Sequence, residues 1–274
     1  RGRPSSSTTT TQRSGRIFAT VCAPNMRNSS WEISKRFGNF APVSPVSNSS
    51  VPVYLQPWTK HQALLHSQSG TYAGRVFTAL PTAPEFRIAD DPFRVLLLRL
   101  RMPLPLAGRR CRCHRLLDPL GDHRAACSTV EILGLRGEAL ERAVARMTRE
   151  AGAHVGWNMM LRDMNLDTII TDERRIEIVA NGFPIWHGAQ VAIDTSLVSP
   201  VRGNGTARPH AADTSGTAIA FITRRKRHRT YREIANAERC RLVVFVLEVG
   251  GQWGDEALDL LHAWRRGQPT RLRH

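Results

Sequence analysis

The sequence predicts an α/β protein: a mixed sheet flanked by helices, preceded by a small metal-binding segment and a polar N-terminal region. Three observations predict it. Residues 241–249, Arg-Leu-Val-Val-Phe-Val-Leu-Glu-Val, form a continuous apolar run, which marks a strand buried on both faces. Residues 129–151 place Ile132, Leu135, Leu140, Val144 and Met147 near helical spacing with charges between them. Cys111, Cys113, His123 and Cys127 fall within one short stretch, at offsets that suit tetrahedral zinc.

The elements follow in order. Residues 1–60 are rich in Ser, Thr, Pro and Asn, bury little apolar area and predict disorder. Residues 60–66 suggest a helical turn or two. Residues 93–102 alternate Leu and Arg as a short amphipathic helix behind Asp90-Asp91, stopped by Pro103 and Pro105. The Cys/His segment follows and closes a linker unit that spans 61–128. The helix at 129–151 ends at Gly152. Residues 154–161, 175–180 and 190–198 predict strands, the last two joined by a turn over 181–188. Residues 201–213 form a Gly/Pro-rich loop and 218–237 a long basic helix. After the strand at 241–249, Gly250-Gly251 breaks the run and 255–266 closes the unit as a helix. The domain therefore spans 129–267, with a basic tail at 268–274.

Charge narrows the partners. The 274 residues carry a formal charge of +16 and a pI of about 11.1, which favours a polyanion such as DNA or RNA. Arginine codon bias is the competing explanation. Lysine occurs only at 35, 60 and 226, so Lys226 stands alone in the second half of the chain. The five cysteines show no disulfide framework, and their clustering suits a reducing compartment. No apolar run is long enough for a membrane span. The start lacks the apolar core of a secretory signal and an initiator Met, which predicts that residues are missing before it.

Three constellations carry chemistry. In the first, Cys111, Cys113, His123 and Cys127 give four zinc ligands, with Gly121 and Asp122 turning the chain to deliver His123. His114 competes as a ligand, and buried reduced cysteines are the plainer alternative. In the second, a turn centred near 185–186 puts Glu177 opposite Asp194 on paired strands, hence on one face. Two adjacent carboxylates repel unless a cation or shared proton relieves them, and Mg²⁺ is the natural cation. Two unrelated outward-facing acids are the alternative. In the third, Arg224, Arg225, Lys226, Arg227, His228 and Arg229 precede Tyr231. This run is either a solvated basic face or a phosphate contact in which Lys226, a compact point charge, sits nearest the chemistry. His210 with Asp213 has the form of a dyad, though a Gly/Pro-rich loop produces such pairs by chance; Glu248 is either a buried polar residue near the site or a strand-end acid; and Trp157, Trp186 and Trp253 suit core packing better than base stacking.

The motifs together resemble a known family. Residues 74–81 (Gly-Arg-Val-Phe-Thr-Ala-Leu-Pro), 93–105, Cys-x-Cys and Gly121-Asp-His-x3-Cys127 are similar to the region after the reverse transcriptase in non-long-terminal-repeat retrotransposons that carry a restriction-enzyme-like endonuclease. Phe-Val-Leu-Glu-Val-Gly-Gly-Gln-Trp-Gly, 245–254, resembles the closing strand of that nuclease. The resemblance implies a restriction-endonuclease-like fold of the PD-(D/E)xK type with structural Zn²⁺ at Cys111, Cys113, His123 and Cys127. It implies catalytic Mg²⁺ held by Glu177 and Asp194, catalysis by Lys226, and DNA contact through Arg224, Arg225, Arg227, Arg229 and Tyr231. Arg175-Ile-Glu177 stands where the family has Arg-Pro-Asp, and Ser196 stands where a lysine would follow Asp194. No reverse-transcriptase Asp-Asp motif is present, so the chain reads as a C-terminal piece or a decayed copy of such an element.

The expected function is metal-dependent DNA cleavage at a target site, with RNA left open as a second polyanion and the nucleus as the compartment of a functional product. The rivals are a zinc-stabilised nucleic-acid-binding protein without catalysis and an unstable remnant.

Overall fold

In the computed structural model, a four-stranded sheet forms the centre, ordered β1-β2-β3-β4, from β1 (His154–Met160), β2 (Arg175–Asn181), β3 (Gln190–Val198) and β4 (Cys240–Glu248). The structure describes residues 56–78, 84, 87–103, 108–164, 166–183 and 186–267. The expectations for residues 1–55 and for the tail at 268–274 lie outside them. β1, β2 and β3 pair antiparallel, while β3 and β4 run parallel. The sheet is thus mixed, as the sequence predicts. Parallel pairing needs a crossover, and the basic segment after β3 supplies it.

Each face of the sheet carries its own core. One side packs Ile178, Ile193 and Phe245 against α5 (Val130–Glu150) and α8 (Asp255–Gly267). Phe245 is wedged between Trp253 and Trp264, with ring centroids 5.8 and 5.9 Å away. The other side packs Val179, Ala192, Val244 and Val246 against α6 (Thr217–Arg225) and α7 (Arg232–Ala235). Strands covered on both faces need apolar residues at every position. That explains the unbroken run in β4. α5 buries Ile132, Val144 and Ala145, and Gly152 ends it at φ +95°. A left-handed glycine there is an ordinary helix stop.

Two helical expectations change. The basic segment is not one helix. α6 ends at Arg225, a wide π turn runs Lys226–Thr230, Tyr231 leaves helical backbone at φ −128°, and α7 follows. The Tyr231 N–H bonds the Lys226 carbonyl at 2.8 Å, an i→i+5 closure, and Lys226 and Thr230 still line one cleft. The 93–102 helix is likewise shorter. α3 (Asp90–Leu97) passes into a 3₁₀ turn at Leu98–Leu100, ended by left-handed Arg101 at φ 59°. The polar N-terminal region was expected to reach residue 60. Instead α1 (Gln56–His66) begins earlier, with Pro57 in its first turn, where no helical N–H is lost. A four-residue α2 (Arg75–Thr78) was not foreseen.

The segment before the sheet is held to the main body. Gly250 N–H donates to Ser67 Oγ at 2.9 Å, and Gln252 N–H donates to the Ser67 carbonyl at 3.1 Å. Arg99 reaches the carbonyls of Ala73 and Gly250. Gly250 has to be glycine here, because a Cβ would overlap the Ser67 backbone. Glu248, an acid at the strand end, is buried nearby, and burial raises its pKa.

Candidate functional site

The Cys/His segment is built by two turns. Arg110 bridges Leu116, and Cys111 N–H donates to the Arg115 carbonyl at 2.8 Å, with His114 left-handed at φ 65°. This knuckle directs Cys111 and Cys113 inward. Asp118 then accepts the backbone N–H groups of Leu120, Asp122 and His123 at 2.7–3.1 Å. Burial pushes its carboxyl pKa up, but those bonds outweigh it and hold Asp118 below the ordinary value. The short helix α4 (Asp122–Ala126) starts there and presents His123. Asp118 was missed in the sequence. The signal was an Asx turn in Asp118-Pro-Leu-Gly.

The four donor atoms of Cys111, Cys113, His123 and Cys127 lie within 4.8 Å of one another. Cys111 and Cys127 sulfurs are 3.7 Å apart, and Cys113 Sγ is 3.0 Å from His123 Nε2. Tetrahedral zinc with bonds of about 2.3 Å sets its sulfurs about 3.8 Å apart. His123 Nδ1 faces the Gly203 carbonyl at 3.3 Å, which leaves Nε2 for a metal. Burial pushes the Cys127 thiol up, yet Thr129 and the neighbouring thiols bring it down to about 7. The Arg115 N–H pulls Cys113 down, but burial and the two other cysteines raise it overall. Three thiols this close cannot all ionise without a cation. The cluster could therefore hold zinc. His114 lies outside it.

The carboxylate pair forms on the β2–β3 hairpin. Ile178 pairs with Ile193, and the same register continued by one residue sets Glu177 against Asp194. On the β1 side, Asn158 stands opposite Glu177 with φ 50°, a left-handed break in the edge strand. Asp194 is 0 % exposed. Its Oδ1 accepts from Lys226 Nζ at 2.6 Å, and its Oδ2 accepts from Ser196 Oγ at 3.2 Å. The Glu177 Oε2 atom is buried and has no hydrogen-bond partner. Burial first, then the Asp194 charge, push the Glu177 carboxyl up to about 8 against the pull of Lys226. Glu177 and Asp194 are thus opposed as the hairpin spacing predicts, and Lys226 joins them from the turn after α6.

The wide turn that carries Lys226 is anchored on both sides. Arg174 binds Asp172 and Glu233 and donates to the Thr230 carbonyl at 2.5 Å. Tyr231 hydroxyl donates to the Arg175 carbonyl at 2.9 Å. Arg227 binds Glu256 at 2.8 Å and donates to the Leu242 carbonyl. Two expectations are corrected here. Tyr231 is 4 % exposed and belongs to the core, and Arg227 turns inward to Glu256. Tyr231 offers no surface to a ligand, while Arg227 stays partly exposed with its guanidinium engaged by Glu256 and the Leu242 carbonyl. Arg224, Arg225 and Arg229 remain exposed. Arg174, Glu233 and Glu256 were missed, since their partners are remote in sequence.

A cleft of about 850 Å³ opens between the N-terminal half of α5, the end of β3 and the π turn. Glu177, Thr195, Ser196, Arg208, Arg225 and Lys226 are among its lining residues. Asp194 lies behind Lys226. The weaker candidates fall elsewhere: His210 and Asp213 form an exposed pair 3.7 Å apart. Trp157 and Trp186 sit under Arg149 and Arg241, with guanidinium-to-ring distances of 5.3 and 4.3 Å. Among the described residues no helix is long and apolar enough to cross a membrane.

The pair also sets a pH dependence in the metal-free protein. A folded pKa above the unfolded one means that the native state holds the extra proton between them, so stability falls as pH rises through that window. The Glu177 contribution is complete below the ordinary carboxyl pKa of 4.5 and lost as pH climbs past about 8. The melting temperature in chelator is expected to decline over this range, and Glu177→Gln is expected to flatten the decline. An unchanged slope in the variant would remove Glu177 as its source.

The sequence matches no protein-family model and no curated protein.

Proposed function

We propose that this chain is a metal-dependent DNA endonuclease of the restriction-enzyme-like kind, with a structural zinc segment ahead of its catalytic sheet. The observation that carries the reading is the Glu177–Asp194 pair, Asp194 buried and Glu177 partly so, with Lys226 against it at the wall of an open cleft. Two hard carboxylate donors, one with an oxygen lacking any partner, fit Mg²⁺. Bound there, Mg²⁺ would lower the pKa of a water and polarise a phosphoryl oxygen. Glu177 would give up its proton when the cation binds and share the ion with Asp194.

Lys226 has a double role in this reading. Its ammonium neutralises Asp194 in the resting site. With a phosphodiester in the cleft, the same Nζ would donate to a phosphoryl oxygen and stabilise charge that grows in the transition state. The π turn holds it there through Tyr231 and Arg174. Exposed Arg224, Arg225 and Arg229 would follow the backbone by charge alone. Glutamate in place of the family's aspartate is one methylene longer and still ligates. DNA is the proposed partner, RNA a competitor, and the nucleus the compartment where such a product would meet its target.

Incubation of the full chain, zinc-loaded, with supercoiled plasmid tests this. Nicking is expected with Mg²⁺ and not with chelator. Salt-sensitive binding without nicking would replace the nuclease with a non-catalytic nucleic-acid-binding protein.

A further inference from the structure

The hairpin after β3 carries a cation that the proposed chemistry does not use. Val201 bridges Ala207, Arg202 N–H donates to the Thr206 carbonyl at 2.8 Å, and Arg208 N–H donates to the Pro200 carbonyl at 2.8 Å. Asn204 Oδ1 accepts both the Thr206 N–H and its hydroxyl. At the tip, the Gly203 carbonyl accepts from Arg115 Nη1 at 2.9 Å and faces the His123 ring. The hairpin is therefore closed on itself and fixed to the metal-ligand segment.

Arg208 stands at its base. Its Nε donates to the Ser199 carbonyl at 2.7 Å, which fixes the plane of the guanidinium. Among the described residues it forms no ion pair. Burial and the like charge of Arg202 oppose its charge, while the buried Glu248 favours it without forming an ion pair. A half-buried guanidinium without a direct ion-pair partner is costly, and a bound anion would offset that cost. Arg208 lines the same cleft as Glu177 and Lys226. Its fork geometry suits two oxygens of one phosphate, and a side chain already held in place loses little freedom on binding.

We propose that Arg208 is a phosphate-binding residue of the cleft, gripping a DNA backbone phosphate next to the one presented to Glu177, Asp194 and Lys226. The proposal rests on the nuclease reading for its second half only. The grip itself needs a polyanion in the cleft and no catalysis.

The test measures binding of a short DNA duplex to the full zinc-loaded chain across a salt series, without Mg²⁺, alongside plasmid nicking with it. Arg208→Gln is expected to weaken binding about tenfold, whatever the sequence, and to reduce the salt slope by about one. Arg208→Lys is expected to restore the slope while binding stays severalfold weaker, since the charge returns without the fork. Wild-type affinity and slope in Arg208→Gln would overturn the grip, as would an equal loss of slope in both variants, which marks a packing role. If Arg208→Gln does not fold, wild-type affinity in Arg208→Lys overturns it. Weakened binding in a chain that never nicks would keep the grip and discard the nuclease. Normal nicking and binding in Arg208→Gln would do the reverse.

Discussion

Asp194→Asn is expected to reduce Mg²⁺-dependent nicking by more than about 100-fold, the upper range for residues that merely support a metal ligand. The side chain is fully buried between β2 and β4, with Lys226 at 2.6 Å and Ser196 at 3.2 Å. Asparagine has nearly the same shape and can still accept the lysine proton. What disappears is the negative charge, which a divalent ion needs and a neutral amide cannot replace. The fold is expected to survive. Removing the Asp194 charge also relieves the repulsion that raises Glu177, so Glu177 ionises more easily and becomes the partner of Lys226. Melting curves, DNA affinity and nicking rate measured on one preparation separate these effects. Nicking at the wild-type rate would discard Asp194 as a ligand.

The second large effect concerns the metal of the Cys/His segment. The local core comprises Cys111, Cys127 and Ile132, with Cys113 and Leu117 packed against it. One fully buried isoleucine contributes about 1.5–3 kcal/mol, far less than the ~10–16 kcal/mol of apparent free energy with which structural zinc binds small folds. Purified protein is expected to carry one zinc per chain. A chelator, or Cys113→Ser, is expected to abolish amide protection at Cys111 and His123 while the sheet amides of β3 stay protected. The Gly203 carbonyl would lose its contacts with Arg115 and His123 at the same time. Full protection after zinc removal would mean that the cysteines pack without an ion.

Much of the sheet could be read from the chain because its signals are local. β3 begins and ends where alternation and apolar content place it, and β4 needs only a one-residue shift. The carboxylate register was legible because hairpin pairing conserves the sum of opposed positions, so one turn centre fixes every pair. The Cys/His set was legible because its ligands lie close in sequence. The basic segment was misread for the opposite reason. Helical periodicity predicts an unbroken helix over 218–237, and only the tertiary bonds from Arg174, Glu256 and Tyr231 determine where it widens. Arg208 escaped notice because a Gly/Pro-rich loop shows no periodicity, and what singles it out is the lack of a direct ion pair among the described residues. Tyr231 and Arg227 were placed at the surface by type, since sequence does not say which way a side chain faces after an irregular turn.

The π turn at Lys226–Thr230 has the arithmetic of an insertion. An α-helix advances about 100° per residue, so one residue fewer would swing everything beyond the turn by roughly that angle. Tyr231 would leave the Arg175 carbonyl, and Arg227 would leave Glu256. A single added residue thus lets five consecutive positions serve two clients, the acids below and the solvent above. For such a segment length is the heritable quantity: exchanging one exposed arginine such as Arg224 for another cation keeps the turn, whereas losing one codon erases it.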